Sequence, residues 1–144
     1  MVDTREIIGR KYGPINYEVG AEKIKEFAIA ITDFNPVYFK QTELKDGTKR
    51  VVAPPIFAVV YIQKVINMAL NDPALSLDLP MLVHAEQEFD FIDVVYSGDV
   101  ITTEGCILNF FEKRNLKFII IETKSTRNGQ LVNKGISTFV IRKR

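Results

Sequence analysis

The stretch APPIFAVVYIQKVINMAL, residues 53–70, decides how this chain is read. Pro54 and Pro55 suit a helix start, because a first-turn residue has no intrahelical acceptor for its N–H. From Ile56 to Ile62 every side chain is apolar or aromatic, so two turns present no polar face. A helix of that composition is expected to be buried nearly all round. Asn71-Asp72-Pro73 ends it.

What covers such a helix is written downstream. From Met81 to Phe91 the odd positions Met81, Val83, Ala85, Phe89 and Phe91 are apolar, while His84, Glu86, Glu88 and Asp90 are polar. That alternation predicts a half-buried strand. Ser97-Gly98-Asp99 reads as a turn into a strand over 100–111, and Glu112 to Asn115 turns the chain into 116–126. Asn128-Gly129 is the strongest hairpin signal in the sequence and leads into 131–141. Upstream, Ile24, Phe27, Ala28 and Ile31 fall at helical spacing, with Glu22, Lys23, Lys25 and Glu26 elsewhere, so an amphipathic helix ends before Pro36. Residues 39–50 are polar, contain Asp46-Gly47, and read as an exposed loop. One apolar helix ahead of four long antiparallel strands predicts an α+β chain whose twisted sheet wraps the helix, the hot-dog arrangement. A helix lying on one face of an open sheet is the competing layout, and it leaves part of the helix wet.

The bulk properties narrow the function classes. At 144 residues, 47% hydrophobic and 26% charged, the chain reads as one globular domain over 1–144 with a real core. A net charge of +1 gives no electrostatic case for nucleic acid or an anionic membrane, and the short basic run Arg142-Lys143-Arg144 reads as solvated. Cys106 is the single cysteine, which rules out an internal disulfide; its apolar strand setting predicts a buried, inert thiol. One Cys and one His leave no structural zinc site within the chain. The opening MVDTREIIGRK lacks the apolar core of a signal peptide, and residues 51–70 are too short and interrupted to span a bilayer. The expectation is a soluble cytoplasmic protein with no metal and no cofactor.

Three segments in order, TDFNPVYF (32–39), VVAPPIFAVVY (51–61) and HAEQEFDFIDVVYSGDVI (84–101), resemble the MaoC-like hot-dog proteins. Within that family the chain is most similar to the N-terminal-type (3R)-hydroxyacyl-thioester dehydratase subunits, from about Gly9 to Arg142. The resemblance implies an acyl-CoA or acyl-carrier-protein thioester as ligand. It also implies a homodimer, or a heterodimer with a second hot-dog subunit, because such units pair to join two short sheets into one. Active members carry an Asp-x-Asn-Pro-x-His loop. By position, Asp33 falls at the catalytic Asp, Asn35 and Pro36 match, and Tyr38 stands where His is expected.

Dehydrating a 3-hydroxyacyl thioester removes a weakly acidic proton beside a carbonyl and protonates the departing hydroxyl. A group titrating near neutrality suits that work. A phenol with a reference pKa of about 10 is ionised in roughly one molecule per thousand at pH 7. Tyr38 is therefore a poor general base, although it can donate a hydrogen bond. His84, on the polar face of its strand, reads as a solvated or interface histidine. Asp33 follows a helix C-terminus, where a carboxylate meets the negative end of the dipole at a cost of a few tenths of a kcal/mol. It reads either as a turn former or as a site acid.

The candidate catalytic residues are thus Asp33 and Tyr38. The candidate substrate-binding residues are Asn35, Pro54, Pro55, Ile56, Phe57 and Val60. The two prolines cannot donate, so a backbone N–H that polarises a thioester carbonyl has to come from Ile56, Phe57 or Ala58. Ile56, Phe57 and Val60 either line an acyl channel or are plain core. Three functional readings follow: a substrate-binding, catalytically incomplete subunit of a dehydratase/hydratase; a self-sufficient hydratase using Asp33; or a non-catalytic acyl-thioester or lipid-binding homodimer. A hot-dog thioesterase fits poorly, because such enzymes often place an acid on the central helix and 56–70 has none.

Overall fold

The structure, a computed structural model, describes residues 3–143. Met1, Val2 and Arg144, part of the N-terminal stretch and the basic run, lie outside the described residues. A short helix α1 (Thr4–Ile7) leads into β1 (Lys11–Glu18), helix α2 (Ala21–Ala30), and a small hairpin of β2 (Thr42–Glu43) and β3 (Lys49–Arg50). A single 3-10 turn over Pro55–Phe57 then opens the central helix α3 (Ala58–Leu70). Four long strands follow: β4 (Leu82–Phe91), β5 (Val100–Lys113), β6 (Leu116–Arg127) and β7 (Gln130–Arg142). The five long strands form one antiparallel sheet in the order β1-β5-β6-β7-β4. The hot-dog expectation holds.

The helix seats closely because the sheet gives way beneath it. A Cβ at Gly105 would lie 2.6 Å from Val65 Cγ1, so only glycine lets α3 approach β5 this near. The buried face of α3 is Ala58, Tyr61, Ile62, Val65, Ile66, Ala69 and Leu70. At its start the Phe57 ring packs edge-on against Phe27 of α2, 5.4 Å between centroids. Full burial of a side chain such as Phe57 contributes about 1.5–3 kcal/mol.

Four sequence readings need correction. The central helix is not buried all round: Ile56 is 41% exposed, and Gln63, Lys64, Asn67 and Met68 face outward. The sheet covers one side of α3 and leaves the other open. Strand β1 was not foreseen, because the Gly13-Pro14 pair interrupts its alternation, and the ladder to β5 does shift register between Tyr12 and Ile15. In β4 a bulge between His84 and Glu86 switches the parity. Before it, His84 pairs with Phe139 and stacks on its ring at 4.5 Å. After it, Gln87, Phe89 and Phe91 pair with Ser137, Gly135 and Asn133. His84 is exposed, as expected of a solvated histidine, although it shares a side with the core residue Phe139, and Val83 points away from the core at 61% exposure. Cys106 is half-buried rather than buried.

Asn128-Gly129 forms the expected turn between β6 and β7. Asn128 and Gly129 both take positive φ, 50° and 77°, as a two-residue turn of this kind requires.

Candidate functional site

A cavity of about 400 Å³ opens where the loop after α2, the start of α3 and the exit of β4 converge. That size suits a small-molecule site. Its wall takes Tyr38 from the loop, Pro54, Pro55, Phe57 and Tyr61 from the helix side, and residues 91–95 from the β4 exit.

The loop is built by its own polar atoms. The Thr32 N–H donates to the Ile29 carbonyl at 3.0 Å and the Asp33 N–H to the Ala28 carbonyl at 2.9 Å, which closes the last turn of α2. This closure needs a left-handed residue, and Thr32 supplies it at φ 57°, a strained setting for a β-branched side chain. Asp33 Oδ1 then accepts from the Asn35 N–H at 3.1 Å, and Asn35 Oδ1 accepts from the Val37 N–H at 3.2 Å. Asp33 and Asn35 thus shape the turn that presents Tyr38, and neither is on the cavity wall. Of the expected substrate-binding residues, Pro54, Pro55 and Phe57 line the cavity, while Ile56 and Val60 do not.

The electrostatics of the wall favour donors over bases. Desolvation, reinforced by the nearby Asp33 charge, pushes the Tyr38 phenol above its ordinary value. Burial pushes the Tyr61 phenol up strongly. Both stay protonated at neutral pH. At the helix start, the Phe57 N–H donates to the Pro54 carbonyl at 2.9 Å, and the Ala58 N–H turns back on Pro55 and Ile56. Of the three backbone donors expected there, Ile56 is the one not closed onto the turn.

The wall opposite the loop is held by an ion-pair cluster that the sequence did not reveal. Arg127 donates to Asp93 Oδ2 at 2.7 Å, to Asp99 Oδ2 at 2.8 Å and to the Val94 carbonyl at 2.8 Å. Asp99, nearly buried, also accepts from Arg50 at 2.8 Å and from the Tyr96 N–H at 2.9 Å. Asp93, an acid inside the apolar run 91–95, was the available signal for this wall. Among the described residues no group of His, Cys, Asp and Glu is placed to hold a metal ion.

The comparisons agree with this architecture. The model for the FAS1-like dehydratase domain region matches residues 6–134. A Thermobifida fusca protein named only UPF0336 is 33% identical over 145 residues, covering 99% of this chain and 95% of its own length. Among solved structures, the HadBC (3R-hydroxyacyl-ACP dehydratase) complex of Mycobacterium tuberculosis matches with a TM-score of 0.76 at 24% identity, over 93% of this chain and 96% of that one. A MaoC-like dehydratase matches with a TM-score of 0.82 at 21% identity, over 95% of this chain but 42% of that one. With a family match over residues 6–134 and a five-stranded antiparallel sheet packed on its central helix, this chain belongs to the FAS1-like dehydratase family and has the hot-dog fold of MaoC-like dehydratases.

Proposed function

We propose that this chain is the substrate-binding, catalytically incomplete subunit of a (3R)-hydroxyacyl-thioester dehydratase/enoyl-thioester hydratase. The observation that carries the reading is Tyr38 on the cavity wall, at the loop position where the family places histidine. A protonated phenol can hydrogen-bond the acyl group, but it cannot take the proton beside the thioester carbonyl. The chain's one imidazole, His84, is on β4 and is not a wall residue. Self-sufficient catalysis through Asp33 is disfavoured, because that carboxylate is engaged by the Asn35 N–H and stands off the wall.

A second hot-dog chain with an intact Asp/His loop would complete the enzyme, and the acyl part of a CoA or carrier-protein thioester would occupy the cavity. Two features support a partner. Strand β4 is an edge strand of the sheet, with Val83 outward. Phe91, Ile92 and Val94 are exposed beside the cavity, an apolar patch of the kind that marks an interaction surface. The HadBC structure is itself a complex of a dehydratase, and its likeness to this chain is one of fold.

Turnover of a short enoyl thioester, measured for the purified chain alone and with a hot-dog partner carrying the Asp/His loop, tests the proposal. The expected result is no turnover alone and turnover with the partner. Full turnover by the isolated chain would sink it.

A further inference from the structure

Of the two edges of the sheet, β4 is the one fit to pair with another chain. On β1, Pro14 offers no N–H and the ladder shifts register around it. Strand β4 runs without interruption from Glu86 to Phe91 once past its bulge. Its outer side carries Glu86, Glu88 and Asp90, all exposed, and among the described residues none of the three carboxylates has an ion-pair or hydrogen-bond partner. Across the ladder β7 presents Thr138, Ile136 and Lys134 to them, so Asp90 alone faces a cation. Apolar side chains bracket the acidic row, with Val83 at one end and Phe91 and Ile92 at the other, each at least half exposed. Charge alone blunts an edge that is to stay unpaired; exposed apolar flanks mark one that takes a partner.

A second copy of this chain meets a specific difficulty at that edge. Two antiparallel β4 strands related by a twofold axis set residues equidistant from the axis directly opposite each other. With the axis at Glu88, Glu86 opposes Asp90 and Glu88 opposes itself. With the axis at Gln87, Glu86 opposes Glu88; with it at Phe89, Glu88 opposes Asp90. Each of these registers puts carboxylate against carboxylate on one side of the joined sheet, which is destabilising. A facing strand with lysine or arginine at those positions turns each repulsion into an attraction, and complementarity of this kind chooses between partners.

We propose that the outer row Glu86, Glu88 and Asp90 makes β4 reject a second copy of this chain and accept the edge strand of a different hot-dog chain that carries basic residues at the facing positions. This rests on the reading of a second hot-dog chain as partner, and it adds the chemistry by which that chain is chosen.

Sedimentation equilibrium of the full chain tests it, with a charge-reversed form of the same chain as the probe. That probe carries Glu86→Lys, Glu88→Lys and Asp90→Lys, and a second variant carries Glu86→Gln, Glu88→Gln and Asp90→Asn. All three positions are exposed, so neither set disturbs the core. At low salt an equimolar mixture of wild type and the lysine variant is expected to associate at least about tenfold more tightly than either alone, with the advantage shrinking at high salt. The amide variant is expected to self-associate at least about tenfold more tightly than wild type. Wild type that self-associates as tightly as the amide variant, or a mixture no tighter than its components, overturns the inference. Turnover is a separate readout. Turnover restored by a partner whose facing strand is acidic overturns this inference alone, whereas the expected association with no turnover from any pairing supports it and removes the enzymatic reading.

Discussion

Asp99 joins three pieces of chain around the cavity: Arg50 at the end of β3, Arg127 at the end of β6, and the Tyr96 N–H in the turn before β5. Replacing it by alanine leaves two guanidinium groups without their shared partner. Breaking a buried ion pair typically costs about 3–5 kcal/mol, and single hydrogen bonds to charged groups contribute about 1.5–3 kcal/mol. Arg50 and Arg127 keep 31% and 22% of their side-chain exposure, so water recovers part of the loss. The expected cost of Asp99→Ala is therefore about 3 kcal/mol, the low end of that range. With an unfolding entropy of about 2.1 cal/mol/K per residue, the melting temperature drops by about 10 °C. Asp93→Ala is the internal control, since Asp93 binds the same Arg127 but its side chain is 53% exposed. It should cost no more than about 1 kcal/mol. Urea unfolding of the two variants, compared by midpoint at unchanged slope, makes the measurement. If Asp99→Ala costs no more than Asp93→Ala, burial is not what gives this cluster its stability, and the reasoning fails.

Two further outcomes follow from the geometry. Thr32→Gly relieves about 1–2 kcal/mol of left-handed strain and adds about 0.5–1 kcal/mol of chain entropy to the unfolded state, so thermal unfolding should show a gain of up to about 1.5 kcal/mol; a loss would mean the Thr32 side chain holds the loop. At Asp72, burial raises the carboxyl, but the Ala74 N–H, the Tyr12 hydroxyl and Arg10 outweigh it and hold the group below its ordinary value. A depressed folded pKa contributes stability that is present above the unfolded value of about 3.9 and lost as pH falls through the lower folded one. The stability gap between wild type and Asp72→Asn should thus be constant near neutrality and shrink below about pH 3.9, and a gap that stays level down to pH 2 would contradict it.

The parts of the fold legible in the sequence were those where one periodicity ran unbroken. The apolar run at 56–62 located the central helix, and Asn128-Gly129 located the β6–β7 turn. Each failure has a local cause. Gly13-Pro14 hid β1, and one extra residue near Ala85 inverted the facing of β4 ahead of the bulge, placing His84 beside Phe139, while Phe89 beyond it faces the core as expected. In the site, the loop motif points to Tyr38, which lines the cavity because a short turn fixes which side chain it presents. The other wall is the β4 exit, held by Arg127 through Asp93, and the two are far apart in sequence and share no motif. Tyr61 was submerged in an apolar run, where a phenol and a phenyl ring are indistinguishable by pattern.

The central claim is that the cavity lacks its base and little else, and Tyr38→His tests it most directly. An imidazole with a pKa of about 6.5 is largely neutral at pH 7, and general acid–base catalysis is worth about 10²–10⁴ in rate. Hydration of a short enoyl thioester by the isolated Tyr38→His chain should rise at least about a hundredfold above wild type. Equal rates in a folded variant, or substantial turnover by wild type, would contradict the account.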